Sequence, residues 1–189
     1  MEKTKKLIFS ALMLGLSTVL SIYKFPMPMG GSITVASMVP VVITALRFPL
    51  PWALSVAFLH GVIQLLLGLG NLAYATNWFV ALIIILFDYL VAFGVLGFAG
   101  IFKKKLSLLP AAVLGTALTF FLRFLCHFIT GWFVWDALFP NELSMISPVY
   151  SFCYNGAYML PELVISVAVL TVLLKFSAVR KLLVQEQIR

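Results

Sequence analysis

The sequence predicts an all-α integral membrane protein: one bundle of six transmembrane helices over residues 1–189, with the N- and C-termini on the cytoplasmic side. Hydrophobic residues make up 63% of the 189 and charged residues only 10%, and the mean hydropathy is +1.12. Soluble domains average about 25% charged residues, so the bilayer is the expected surrounding. At roughly 20 residues per span, the chain holds five to seven spans and no separate soluble domain.

Six apolar segments fit such spans, at residues 7–23, 33–47, 51–70, 77–101, 108–134 and 149–175. The first follows a basic lead like that of a signal peptide. It lacks a small-x-small cleavage site, so we expect a retained helix. The second is the shortest and contains Pro40, which leaves a re-entrant segment as an alternative.

The basic residues favour six crossings. With the N-terminus inside, eleven of the thirteen lie on the cytoplasmic side, as the positive-inside rule requires. These eleven are Lys3, Lys5, Lys6, Arg47, Lys103, Lys104, Lys105, Lys175, Arg180, Lys181 and Arg189. Lys24 lies outside and Arg123 lies within a span. Because the cations cluster at the ends of apolar runs and not along one face, the net charge of +7 indicates membrane topology and not nucleic-acid binding.

Several function classes lack their signature motifs. The sequence has no phosphate-binding G-x-x-x-x-G-K-[ST] loop and no histidine pair at metal-ligand spacing. Cys126 and Cys153 lie in apolar helix and are interpreted as packing thiols. Cys126 points about 100° away from His127 on a helix, so the pair does not suggest a nucleophile and its base. We expect no catalytic residues, metal or cofactor.

The stretch from residue 123 to residue 155 concentrates polar and aromatic groups within apolar helix. At about 100° per residue, one stripe contains Arg123, His127, Gly131 and Trp135, with a glycine gap between the imidazole and the indole in which a flat molecule fits. After a polar turn, Tyr150 and Asn155 on the next helix are expected to face the same pocket.

Helix four contributes a second group. Trp78 and Tyr89 are eleven residues apart and share a helix face, with Asp88 at its edge. The alternative for Trp78, Trp135 and Tyr150 is an aromatic belt at the membrane interface. A carboxylate in the bilayer needs a partner, so Asp88 is a candidate to neutralise a bound cation.

Two further charges, Arg123 and Glu162, each need a partner within the bilayer, and we expect them to take part in one or two buried ion pairs that lock the bundle. On helix one, Ala11 and Gly15 have small-xxx-small spacing, which permits close helix approach within the chain or to a partner protein. The segment KFPMPMGGSIT that follows has the prolines and glycines of an external loop able to cover a cavity.

The whole chain resembles the ThiT family, the thiamine-specific substrate-binding (S) components of energy-coupling factor (ECF) transporters. The resemblance rests on GGSIT before helix two, ALRFPLPWAL, FDYLVAFGVLGFAG and, above all, H-x3-G-x3-W followed by Y-x4-N. It implies that Asp88, Tyr89, His127, Gly131, Trp135, Tyr150 and Asn155 surround thiamine, with Trp78 as an addition. The family's helix-four acid is usually glutamate, whereas this chain has the shorter aspartate.

The resemblance also implies partners: an ECF transmembrane coupling subunit, docked on the Ala11 and Gly15 face, and two ATPase subunits, in a bacterial cell membrane. Two alternatives remain open at this point. One is an S component for another flat vitamin. The other is a self-contained proton-coupled carrier with Asp88, Arg123, His127 and Glu162 as its relay, although no inverted repeat is visible.

Overall fold

The computed structural model describes residues 2–184; Arg189, one of the cations assigned above to the cytoplasm, lies outside this part. Seven helices and one hairpin follow in order. They are α1 (Glu2–Ile22), β1 (Lys24–Pro26), β2 (Ser32–Thr34), α2 (Val39–Arg47), α3 (Leu50–Leu67), α4 (Trp78–Gly100), α5 (Leu108–Leu138), α6 (Ser147–Leu173) and α7 (Ser177–Val184). A 3-10 segment (Leu69–Tyr74) follows α3.

The predicted all-α membrane architecture is confirmed. Within residues 2–184, five helices, α1, α3, α4, α5 and α6, are long and apolar enough to cross a membrane. The predicted second span differs from expectation, because residues 33–47 contain strand β2 and then only the nine-residue helix α2. Pro40 has no N–H for the carbonyl of Ala36, and Ala36 has a φ of 54°, so the helix does not extend further towards the N-terminus.

Three side-chain contacts between α1 and α3 show that the chain still traverses the bundle at α2. Trp52 Nε1 donates to Ser10 Oγ at 3.0 Å, and Gln64 Nε2 donates to Ser21 Oγ at 3.0 Å. Between them, Ser17 Oγ lies 3.4 Å from His60 Nε2. Residue numbers rise together along both helices, so α1 and α3 are parallel. The chain between them must therefore return from one end of the bundle to the other.

Helix α2 forms the centre of the bundle. Its residues 39–46 are all buried, as expected of a helix that is apolar on every side. At its C-terminal end, Lys103 Nζ donates to the carbonyls of Ala45 (3.0 Å) and Phe48. Arg47 Nη1 donates to the carbonyl of Leu182 in α7 at 2.9 Å. Cations therefore satisfy carbonyl groups at the ends of α2 and α7.

Burial, with a smaller effect from the charge of Lys104, lowers the pKa of Lys103 to about 8. This lysine, which lies beyond the end of α4, is therefore still mostly protonated at neutral pH. Its positive charge at the C-terminus of α2 is favourable to the helix dipole.

Two π-helical segments interrupt the long helices, at Ile84–Leu90 in α4 and at Gly131–Trp135 in α5. Such segments are rare in proteins as a whole, and those that do occur are often found at functional sites. A π turn advances through a smaller angle per residue than an α turn, so the constant 100° used on the sequence does not hold through these segments.

The segment between α1 and α2 is an antiparallel hairpin that pairs Lys24 with Thr34. Its turn contains Gly30 and Gly31, with φ of 101° and 69°. A Cβ atom at either position would collide with the rings of Tyr154 and Tyr158 respectively. Glycine therefore permits both the left-handed backbone and the close packing of the hairpin on α6.

Candidate functional site

A cavity of about 510 Å³ lies beneath the hairpin, between α3, α4, α5 and α6. Seven of the eight predicted ligand-binding residues line it. They are Asp88, Tyr89, His127, Gly131, Trp135, Tyr150 and Asn155. This volume falls within the range of roughly 300–1,000 Å³ that is typical of small-molecule sites.

Trp78 does not lie at this cavity. Its side chain is 78% exposed and contacts the ring of Phe79 edge-on, with centroids 6.0 Å apart. The predicted common face of Trp78 and Tyr89 assumed a regular α-helix. The π segment Ile84–Leu90 lies between them and turns Tyr89 inwards relative to Trp78.

Asp88 connects α4 to three side chains of α5. Its Oδ1 accepts hydrogen bonds from His127 Nδ1 at 3.1 Å and from Thr130 Oγ1, and its Oδ2 accepts one from Trp135 Nε1 at 2.7 Å. The carboxylate is buried. These donors fix its orientation, so its charge faces the cavity at a defined place.

The same contact determines the state of His127. A carboxylate only accepts hydrogen bonds, so Nδ1 carries a proton and, in the neutral ring, Nε2 is an acceptor. Nε2 is buried and has no partner among the described residues. His127 lines the cavity, so this unused acceptor lies at the edge of the site, although the atom itself has almost no exposed surface.

The space beside Gly131, which the sequence suggested would hold a flat ligand, is instead filled by side chains of α6. A Cβ atom there would collide with Ser151 Oγ and approach Asn155 Nδ2 to 3.1 Å. Ser151 Oγ donates to the carbonyl of Phe128 at 2.8 Å, and Asn155 Nδ2 donates to that of His127 at 3.2 Å. These side chains supply hydrogen bonds to α5 carbonyls just before its π segment.

Tyr89 is fixed by hydrogen bonds to the segment that follows α3. Its hydroxyl accepts from Asn71 Nδ2 at 2.8 Å and donates to the carbonyl of Gly68 at 3.1 Å. A Cβ atom at Gly68 would collide with this hydroxyl. The end of α3 and the 3-10 segment thus position a phenol of α4 in the cavity wall.

Arg123 and Glu162, which were expected to need buried partners, pair with each other. Arg123 Nη1 lies 3.5 Å from Glu162 Oε2, with side chains 8% and 2% exposed. Arg123 also lies over the ring of Phe93, 4.6 Å from its centroid, and Thr34 of the hairpin donates to Glu162 Oε1. Both charged groups line the cavity, so the pair connects α5, α6 and β2 at the site itself.

Aromatic rings cover much of the remaining wall. Tyr154 and Tyr158 line the cavity with Tyr150, and successive ring centroids are 5.9 and 6.0 Å apart. The sequence pattern singled out Tyr150 but not Tyr154 or Tyr158. The four-residue spacing of the three tyrosines was nevertheless a visible signal that they share one helix face. Phe139 and Trp135 also line the cavity and lie nearly parallel, 6.4 Å apart.

The cavity has a net negative charge. Its charged lining residues are Asp88, Asp136, Glu162, Lys24 and Arg123, so three acids and two bases give a formal charge of −1 with His127 neutral. A monovalent cation would complement this charge. No group of three or more His, Cys, Asp or Glu residues within the described chain is arranged to hold a metal ion.

Ala11 and Gly15 lie away from the cavity, on the exposed face of α1. A Cβ atom at Gly15 would meet no atom of the described chain within 4 Å. The opposite face of α1 carries the buried serines at positions 10, 17 and 21. The small-residue face is therefore not used for packing among residues 2–184.

Comparison with known proteins gives one consistent result. Residues 7–182 match the family model of the thiamine transporter protein (Thia_YuaJ). The chain is 29% identical over 181 residues to the thiamine transporter ThiT of Bacillus subtilis, a match that covers 89% of each chain. A solved structure of ThiT from Listeria monocytogenes superimposes with a TM-score of 0.76 at 24% identity, over 97% of this chain and 99% of the other.

The structural likeness shows a shared fold, and the family model spans nearly all of the sequence. With its long apolar helices, the chain therefore belongs to the thiamine transporter protein family, as a multi-pass protein of the bacterial plasma membrane.

Proposed function

We propose that this chain is the thiamine-binding S component of an ECF transporter and that thiamine binds with high affinity in the cavity beneath the hairpin. The observation that carries the proposal is the convergence of Asp88, His127, Trp135 and Tyr150 on one cavity with a net charge of −1. These residues come from three helices, α4, α5 and α6, so only the fold brings them together.

Thiamine matches this cavity chemically. It is a permanent cation with a flat thiazolium ring, so a fixed carboxylate and aromatic faces stabilise it. Its aminopyrimidine has an amino group that donates hydrogen bonds, and the unpartnered Nε2 of His127 is a suitable acceptor. Asp88 balances the charge, and Trp135 and Tyr150 supply ring faces.

Transport energy would come from other chains. We propose that the exposed face of α1 around Ala11 and Gly15 docks on a transmembrane coupling subunit, which two ATPase subunits drive. Among residues 2–184, nothing lies within 4 Å of a Cβ atom built at Gly15, which supports close approach of a partner helix. The relatives are transporters, and we assign no catalytic role to any residue of this chain.

Binding is tested with the purified protein alone, without ATP, by calorimetry and by tryptophan fluorescence. We expect thiamine to give saturable binding and to quench fluorescence, because Trp135 lines the cavity. Riboflavin and biotin serve as comparison ligands. A response to one of them without a response to thiamine would assign the cavity to another vitamin.

Energy coupling is tested separately in liposomes. We expect uptake only when the coupling and ATPase subunits are present with ATP. Uptake by the chain alone, driven by a proton gradient, would instead support a self-contained carrier. The Asp88–His127 and Arg123–Glu162 pairs at the cavity would then be candidates for its relay.

A further inference from the structure

A second cavity, of about 300 Å³, lies at the opposite end of the bundle from the hairpin, where α5 begins and α6 ends next to α7. Its lining combines two cations, Lys175 and Arg180, with apolar side chains that include Leu108, Leu109 and Leu174. This volume is at the low end of the roughly 300–1,000 Å³ typical of ligand pockets, so it suits a small group.

No acidic residue of the described chain lines this cavity beside the two cations. Within residues 2–184, neither the ammonium of Lys175 nor the guanidinium of Arg180 has an ion-pair or hydrogen-bond partner, although both line one cavity. Both side chains are exposed. Two like charges at one concave site repel each other, and an anion between them relieves that repulsion.

Further donors lie in the same cavity. Ser107 precedes α5 and lines the cavity, and within residues 2–184 its hydroxyl makes no capping hydrogen bond. Thr171 adds a second hydroxyl to the lining. A phosphate oxygen accepts from hydroxyl, ammonium and guanidinium groups alike, and arginine binds phosphate through two parallel donors.

The surroundings indicate a lipid and not a soluble anion. Leu109 and Val172, at the start of α5 and the end of α6, are 44% and 53% exposed. They belong to helices long enough to span the membrane, so they form a surface for acyl chains beside the two cations. The lysines at residues 103–105 lie at the same end of the bundle. Basic pockets between helices at the cytoplasmic surface are suited to anionic headgroups.

We propose that this cavity binds the phosphate headgroup of an anionic phospholipid of the inner leaflet, with Lys175 and Arg180 as its ligands and the leucine side chains against its acyl chains. The site is separate from the thiamine cavity, and its occupancy does not depend on the function proposed for that cavity.

The test is native mass spectrometry of the protein released from micelles that contain equal amounts of phosphatidylglycerol and phosphatidylcholine. We expect a bound phosphatidylglycerol in preference to phosphatidylcholine. A cation near a membrane surface contributes about 1 kcal/mol, or about 5-fold in affinity. The double variant Lys175→Gln/Arg180→Gln should therefore retain phosphatidylglycerol about 30-fold more weakly.

A matched control is Lys104→Gln/Lys105→Gln, which removes the same charge from exposed positions outside the cavity. It should retain phosphatidylglycerol as the unmodified protein does. An equal loss in both double variants would overturn the proposal in favour of diffuse attraction to the membrane. Equal retention of the two lipids by the unmodified protein would also overturn it.

The lipid is distinguished from a free anion by competition. Inorganic phosphate added at the lipid concentration should leave the phosphatidylglycerol adduct in place, because phosphate lacks the acyl chains that contact Leu108 and Leu109. Displacement by phosphate alone would assign the cavity to a soluble anion and overturn the lipid assignment.

Discussion

Asp88 shows how a single residue organises the proposed site. Its short side chain accepts from three groups of α5, including Trp135 Nε1 at 2.7 Å. These hydrogen bonds mean that little side-chain freedom is lost when a ligand binds, which favours tight binding.

Removal of this charge should weaken thiamine binding strongly. The variant Asp88→Asn has nearly the same shape but no charge to balance the thiazolium, and its amide cannot accept all three hydrogen bonds. A loss of 10- to 100-fold in affinity is expected, on the order of a charged hydrogen bond. Titration calorimetry of both proteins with thiamine measures this loss of affinity. Glu142→Gln, an exposed acid in the loop before α6, is the control and should bind normally.

Trp135 should contribute through its ring. We expect Trp135→Ala to weaken thiamine binding about 5- to 30-fold, the equivalent of losing one cation–π contact of about 1–2 kcal/mol. Trp132→Ala is the matched control, because Trp132 is partly exposed and stacks on Phe133 with centroids 4.4 Å apart, away from the cavity lining. Equal losses for both variants, measured by titration calorimetry, would contradict the site.

At the scale of elements, the two π segments decide which side chains reach the cavity. Ile84–Leu90 contains Asp88 and Tyr89, and Gly131–Trp135 contains the glycine and the indole. The second segment is supported by α6, which donates to the carbonyls of His127 and Phe128. The geometry of α5 at the site thus depends on close contact with α6.

Gly131→Ala tests that contact. The added methyl would displace Ser151 and Asn155, and overpacking of this kind costs about 1–3 kcal/mol. We expect a lower melting temperature together with weaker thiamine binding. Gly156→Ala, where a Cβ atom meets no described residue within 4 Å, should leave both unchanged.

The double variant Gly131→Ala/Ser151→Ala tests whether the collision with Ser151 causes the loss of stability. It removes the hydroxyl that the new methyl would meet, so it should recover part of the lost stability in the same melting experiment. A Gly131→Ala protein that melts and binds like the unmodified one would show that α5 and α6 need not approach closely.

At the scale of the whole molecule, the parallel course of α1 and α3 supports an even number of passes, with the hairpin at one end and the basic clusters at the other. The positive-inside rule then predicts that Lys24 faces outwards and Lys104 inwards. In a background of Cys126→Ala and Cys153→Ala, a membrane-impermeant maleimide added to whole cells should label Lys24→Cys and not Lys104→Cys. The reverse pattern would invert the predicted topology.

The exposed face of α1 allows binding and transport to be separated. Gly15→Trp adds a large side chain where the protein offers open space, at a distance from the cavity lining. Thiamine binding in detergent should therefore be unchanged, whereas ATP-dependent uptake by the complete transporter should be lost. Val164→Trp, an exposed position on α6 and not on α1, is the control for bulk alone. Normal uptake by Gly15→Trp would reject this docking face.

Helical spacing and the resemblance to the ThiT family supplied the candidates for the site. Composition, hydropathy and charge distribution alone determined that the chain crosses a membrane and roughly where its helices lie. They suffice because each depends on transfer free energies that add up along the sequence. Only the tertiary structure decided three other matters. Residues 33–47 are a strand and a short helix, since Pro40 and its neighbours prevent a longer one. Trp78 lies away from the cavity, since a π segment changes the phase of α4. Ser151 and Asn155 fill the gap at Gly131, since packing between helices that are distant in sequence has no local signal in either of them.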